Sequence, residues 1–206
     1  MNPTWKLSNP KQMKFIYYVS LTGFLSFLMG NHPVLDSIST RLHSPQGVLM
    51  SLEIHQDQYG NEWIETANFE IVNDHQFIFQ SPHQVLKIDG QVIYTFNPKS
   101  KQVVVDQILP DEFSIIDLLR GDFEEIKVKK IENNSDSILL EFTINEMNIS
   151  GSIMIQTESF IPEKLVLYYD ENNQINVTIN SYNELSANKI YDEFNLSEWE
   201  VIDLRN

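Results

Sequence analysis

VLKIDGQVIYTFNPKSKQVVV, residues 85–105, spells two consecutive β-hairpins. Val85 to Ile88 is a short apolar run, and the Asp89-Gly90 dipeptide after it readily takes the positive φ angles of a tight turn. Val92 to Phe96 returns as a strand. Asn97-Pro98 with Lys99-Ser100 makes a second polar turn, and Val103 to Val105 is the strand that follows.

The same rhythm extends outward in both directions. Val48, Met50, Leu52 and Ile54 alternate with Leu49, Ser51, Glu53 and His55, the period of two that a half-buried strand requires. In Trp63 to Val72, Ala67, Phe69 and Ile71 take one face while Thr66, Asn68 and Glu70 take the other. Phe77 and Phe79 share a face in a short strand between Asn73-Asp74 and Ser81-Pro82. Beyond the double hairpin, strands are expected over 126–131, 138–144, 148–155, 164–169 and 175–181, with a last segment over 193–202. The count is about eleven. Short turns join nearly all of them, so neighbours in sequence are expected to be antiparallel neighbours in space.

Two segments break the β period. Val34 to His43 places Leu35, Ile38 and Leu42 on one helical stripe and stops at Pro45 and Gly47. Phe113 to Leu119 follows Pro110-Asp111 and ends at Arg120-Gly121, which predicts a short capped helix.

The 206 residues suggest one folded domain, over 31–206, behind an N-terminal export signal over 1–30. Lys6, Lys11 and Lys14 supply a basic start, and Phe15 to Met29 is an uncharged run shorter than a comfortable membrane span. Met13 is a possible alternative start. The net charge is −15, and all 29 acidic residues follow residue 30. So acidic a surface repels phosphate backbones and anionic headgroups, which argues against nucleic acid as a partner. There is no cysteine, which excludes thiol chemistry, disulfides and a lipid-modified N-terminal cysteine. The five histidines form no ligand-spaced pair, and no phosphate-binding glycine loop or nucleophile elbow occurs. Neither an enzyme nor a cofactor is indicated.

A sheet with one apolar face needs a cover, and two short helices are the only non-sheet segments available. The apolar positions of the strands are large and aromatic or flexible: Met50, Phe69, Phe77, Phe79, Tyr94, Phe96, Phe142, Leu167 and Tyr169. On the residues alone, these side chains either fill a solid core or line a groove.

The order and spacing of Asp89, Gly90, Tyr94, Phe96, Asn97, Pro98 and Gln102 resemble the bacterial periplasmic lipoprotein carriers, the LolA-like family. Arg41-Leu42 near the end of the first helix extends the resemblance. So do Phe160-Ile161-Pro162-Glu163-Lys164-Leu165, the Asp170 turn, Ile175 to Ile179, Asn188, Phe194 and Val201-Ile202-Asp203. What it implies is a mainly β protein: a single antiparallel unclosed β-barrel with short helices as a lid over an apolar cavity. It also implies a periplasmic monomer that carries the acyl chains of lipoproteins from an inner-membrane transporter to an outer-membrane receptor. Met50, Leu52, Ile54, Phe69, Ile71, Phe79, Tyr94, Phe96, Phe142, Leu167 and Tyr169 are then the expected cavity lining. The sequence departs from the family in two places. Asn73-Asp74 stands where an Arg-Pro pair is usual, and that arginine helps hold the lid. Ser197-Glu198-Trp199 replaces a Pro-x-Gly in the last strand. An envelope sensor, or a binding protein for another lipid, is the alternative on the same fold.

Overall fold

The computed structural model describes residues 32–108, 113–144, 147–185 and 196–205. The expected export signal over 1–30, Pro110-Asp111, Asn188 and Phe194 lie outside the described residues.

The chain enters as helix α1 (Pro33–Leu42), which starts with a proline whose missing N–H costs nothing there. Six antiparallel strands follow: β1 (Val48–Gln58), β2 (Asn61–Asn73), β3 (Gln76–Gln80), β4 (Val85–Asp89), β5 (Val92–Asn97) and β6 (Gln102–Gln107). Helix α2 (Ile115–Arg120) interrupts them. Its first turn is fixed by Asp117, whose Oδ2 accepts from the Ser114 N–H at 2.6 Å and from Ser114 Oγ at 2.9 Å. Gly121 closes the helix in the left-handed conformation, φ 81°. Then come β7 (Lys127–Asn133), β8 (Ser137–Ile144), β9 (Ile149–Gln156), β10 (Pro162–Asp170) and β11 (Asn173–Glu184), and after a 3₁₀ turn (Leu196–Glu198) the short β12 (Glu200–Asp203).

All twelve strands join one sheet in the order β12-β6-β5-β4-β3-β2-β1-β11-β10-β9-β8-β7. The two edge strands, β12 and β7, do not pair with each other, so the barrel is unclosed. The meander runs outward on both sides of the long β1–β11 ladder, which spans Val48↔Glu184 to Gln58↔Asn173. This is the mainly β, open architecture expected, with one difference: β12 lies parallel to β6, Glu200 opposite Gln102. Antiparallel pairing follows from short turns, and β12 is reached by no such turn.

The opening hairpin differs in detail. Asp89 stays in β4 opposite Val92, so the two-residue loop is Gly90-Gln91, and Gly90 alone takes a positive φ (61°). In the next turn the Asn97 side chain accepts from the backbone N–H groups of Lys99 (3.2 Å) and Ser100 (3.4 Å).

Alternation sorts the side chains onto two faces. The face we call inner carries the main core, from Ile88 on β4 through Phe77, Phe69 and Met50 to Leu140 and Phe142 on β8. Both helices pack into that core, with Leu35, Ile38 and Leu42 from α1 and Leu118 and Leu119 from α2. A smaller cluster, Phe96, Val103 and Val105, lies on the opposite face beneath Trp199 and Leu196.

Candidate functional site: the lidded inner face

Period-two patterning brings the central strands' apolar residues into register across the inner face. Met50 faces Phe69 across the β1–β2 ladder, Phe69 faces Phe79, and Val48 faces Ile71, which faces Phe77. On the other wing Leu167 faces Ile175 and Gly151, and Gly151 faces Phe142. The last row is held by shape. A Cβ on Gly151 would lie 2.5 Å from Phe142 Cζ and 2.4 Å from the Val166 carbonyl oxygen, so the Phe142 ring occupies the space that glycine leaves.

Nine of the eleven expected lining residues meet on this face. Met50, Leu52, Phe69, Ile71, Phe142 and Leu167 are fully buried in its core, and Ile54, Phe79 and Tyr169 are partly buried against it. Tyr94 and Phe96 are not part of it. On β5 it is Ile93 that packs on the inner core, so Tyr94 and Phe96, each one residue out of phase with Ile93 or Thr95, point to the outer face. There the Phe96 ring meets Trp199 edge-on, with centroids 5.3 Å apart. Leu140, Ile153, Leu165 and Val177 line the inner core as well. Strand parity was the signal for them, since Leu140 shares the phase of Phe142, and Leu165 that of Leu167.

The lid fills the face it covers. Leu35, Ile38 and Leu42 are at most 1% exposed, and Leu118, Leu119 and Phe123 at most 3%. The two helices also abut, because a Cβ on Gly121 would come within 3.2–3.4 Å of His43, Leu42 and Ser39.

Polar contacts fasten the cover at its margins. The Tyr182 hydroxyl of β11 donates to the Arg41 carbonyl oxygen at 2.7 Å, and the Arg41 guanidinium lies 5.3 Å from the Tyr182 ring centroid. Burial raises the Tyr182 pKa, the Arg41 charge opposes that rise, and Glu184 adds to it. Arg120, the last residue of α2, sits 5.8 Å from the Phe77 ring centroid and pairs with Asp117 (3.0 Å) and Asp122 (2.7 Å). Burial, and then the Asp117 carboxylate, raise the pKa of Tyr169. Asn73 instead organises the β2–β3 turn, its Oδ1 accepting from the N–H groups of His75 (2.9 Å) and Gln76 (3.0 Å). Among the described residues, Arg41 and Arg120 are therefore the arginines at the lid.

Among the described residues this face is a wide aliphatic and aromatic floor packed under two short helices, with these polar contacts at its margins.

No protein-family model and no curated protein matches the sequence. The fold is similar to that of solved structures. An uncharacterized conserved protein from Thermus thermophilus is similar with a TM-score of 0.53 at 8% identity, over 82% of this chain and 96% of that one. A LolA superfamily protein from Nitrosomonas europaea is similar at TM-score 0.43 and 13% identity, over 74% and 92% of the two chains. A domain from Vibrio parahaemolyticus assigned to outer-membrane lipoprotein sorting is similar at TM-score 0.47 and 9% identity, over 80% and 94%. The Thermus likeness is one of fold.

Proposed function

We propose that the inner face is a lidded groove for acyl chains, and that the protein is a periplasmic, non-enzymatic carrier of lipoproteins. The observation that carries this reading is the cover itself. Among the described residues, a twelve-stranded sheet closes its apolar face with helices of only ten and six residues. A domain built solely for stability would gain more from a second layer.

The energetics allow exchange. Burying Leu35, Ile38 and Leu42 is worth roughly 1.5–3 kcal/mol each, or about 5–9 kcal/mol for α1. One acyl chain of about fifteen methylenes gains roughly 12 kcal/mol on leaving water. A single chain can thus displace the helix, and two can do so decisively. Met50, Leu52, Phe69, Ile71, Phe142 and Leu167 would then contact the chains, with Ile54, Phe79 and Tyr169 nearer the margins. Unloading requires a receptor that holds the same chains more tightly. On this reading an inner-membrane transporter supplies the cargo, an outer-membrane receptor takes it, and the carrier works as a monomer without a cofactor.

The test is a release assay. Inner-membrane vesicles from the source cells, energised and mixed with the purified protein, should release an acylated lipoprotein into solution in a complex with it. Protein presaturated with palmitate should release none. If palmitate binds but no lipoprotein is ever released, the groove serves another lipid.

A further inference from the structure

The β1–β2 and β10–β11 turns meet at one end of the sheet. The Tyr59 N–H donates to the Asn172 carbonyl oxygen at 2.8 Å, and its hydroxyl reaches Asp170 Oδ2 at 3.4 Å. Four large apolar side chains stand exposed there: Tyr59 (67%), Ile64 (65%), Tyr168 (43%) and Trp63 (42%). Register puts Ile64 and Tyr168 on the same outer face. Ile64 aligns with His55 and Asn176, and Tyr168 with Gln174, Asp57 and Glu62. A hollow of about 470 Å³ opens beside Ile64, walled by His55, Asp57, Glu62 and Gln174.

Folding does not account for this end. Tyr59 occupies the first position of a two-residue turn with φ 54°, followed by Gly60 at φ 79°. A left-handed backbone costs a bulky residue about 1–2 kcal/mol, and asparagine or glycine would take the position more cheaply. The ring buries little in return.

The charge is equally one-sided. Residues 53–65 and 166–176 contain no lysine or arginine. Of their acids, Glu53, Asp57, Glu62, Asp170 and Glu171 lie on the outer face or in the turns, while Glu65, opposite Ile54, belongs to the inner face. Exposed aromatics with a polar rim are the composition of a protein–protein contact.

We propose that this end is the docking surface for a protein partner with a basic face: Tyr59, Ile64 and Tyr168 supply the apolar contact, and the carboxylates select the charge. Anionic headgroups are repelled by the same rim, as is a second copy of this acidic chain. The surface lies outside the lidded face and does not depend on what the groove holds.

The test places a photo-crosslinking benzoyl-phenylalanine at Tyr59, at Ile64 or, as a control, at Lys129 on edge strand β7, three strands away from β10, in the full-length protein in its own cells. Adducts are identified by mass spectrometry. Position 59 and position 64 should capture one protein with a basic surface, and position 129 should not. Glu62→Gln with Glu171→Gln should cut the yield about tenfold, the scale of electrostatic steering. Asp57 and Asp170 stay, because they cap the turns through Gly60 N–H (3.0 Å) and Asn172 N–H (2.8 Å). Palmitate binding should be unchanged in every variant, which separates failure of this surface from failure of the groove. No adduct at 59 and 64, equal adducts at 129, an acidic partner, or indifference to charge removal would overturn the proposal. So would co-flotation with phosphatidylcholine vesicles that is lost in Tyr59→Ser.

Discussion

Ile38→Ala separates a removable cover from a permanent core. Ile38 is 0% exposed at the centre of the α1 stripe, between Leu35 and Leu42. Truncating a fully buried isoleucine costs roughly 2–5 kcal/mol, the lost transfer energy plus that of the void left behind. If α1 must leave the face before a chain enters, that cost falls only on the closed, empty state. The fraction of open molecules then rises, and the apparent Kd falls in proportion. Taking the lower end, about 2 kcal/mol, the expected gain in affinity is roughly thirtyfold, at one decade per 1.4 kcal/mol. The assay is titration with a fluorescent fatty acid, alongside urea denaturation of the empty protein. Both should move, in opposite senses: a lower denaturation midpoint and tighter binding. A lower midpoint with unchanged or weaker binding would refute the reasoning, because Ile38 would then belong to a core that ligand never replaces.

Tyr182→Phe removes the hydroxyl that holds the Arg41 carbonyl, which should weaken closure by about 0.5–1.5 kcal/mol and speed amide exchange in α1 before the strands. Gly151→Ala forces a Cβ against the Val166 carbonyl oxygen, a backbone atom that cannot swing aside. It should destabilise by about 3 kcal/mol or more, at the top of the overpacking range, read as a urea midpoint. Trp199→Ala uncovers Phe96 on the outer face; it should lower stability and the near-ultraviolet dichroism yet leave fatty-acid affinity within twofold of the parent, roughly 0.4 kcal/mol. Tyr169 and Tyr182 both have raised pKa values, chiefly from burial, so the unfolded chain loses those protons first as pH rises. Their stabilising contribution is full below the ordinary tyrosine value near 10 and falls as pH climbs toward their folded values. Absorbance at ~295 nm should show late-titrating tyrosines, fewer in the double phenylalanine variant.

Strand existence was legible because alternation is local. Met50 and Phe69 announced their face through Ser51 and Asn68, and the structure pairs them. The first helix was legible as Leu35, Ile38 and Leu42, the three residues buried in the core. Phase between strands was not. Tyr94 and Phe96 looked like their aromatic neighbours, but which face a strand's odd positions take depends on hairpin register. Here the loop begins at Gly90, and Ile88 pairs with Ile93 on the inner face. Nor did β12 show in the sequence as a parallel edge. Its four exposed residues carry no burial pattern, and Trp199 reaches Phe96 across more than a hundred positions. The lid's fastening was illegible for the same reason: Tyr182 and Arg41 are 141 residues apart. The exposed aromatic end is the reverse case, since Tyr59-Gly60 reads as an ordinary turn and only the fold leaves its ring 67% exposed.

The central claim is that the inner face exchanges its helical cover for acyl chains. Native mass spectrometry with lipid extraction, on protein purified from its own cells under gentle conditions, tests it most directly. The account predicts a population carrying a lipoprotein, or its acyl chains, in one-to-one complex, and loss of that mass when excess fluorescent fatty acid is added. A protein that emerges empty, and that also refuses the fatty acid, would contradict it: Met50, Phe69, Phe142 and Leu167 would then be the core of a fold that carries nothing.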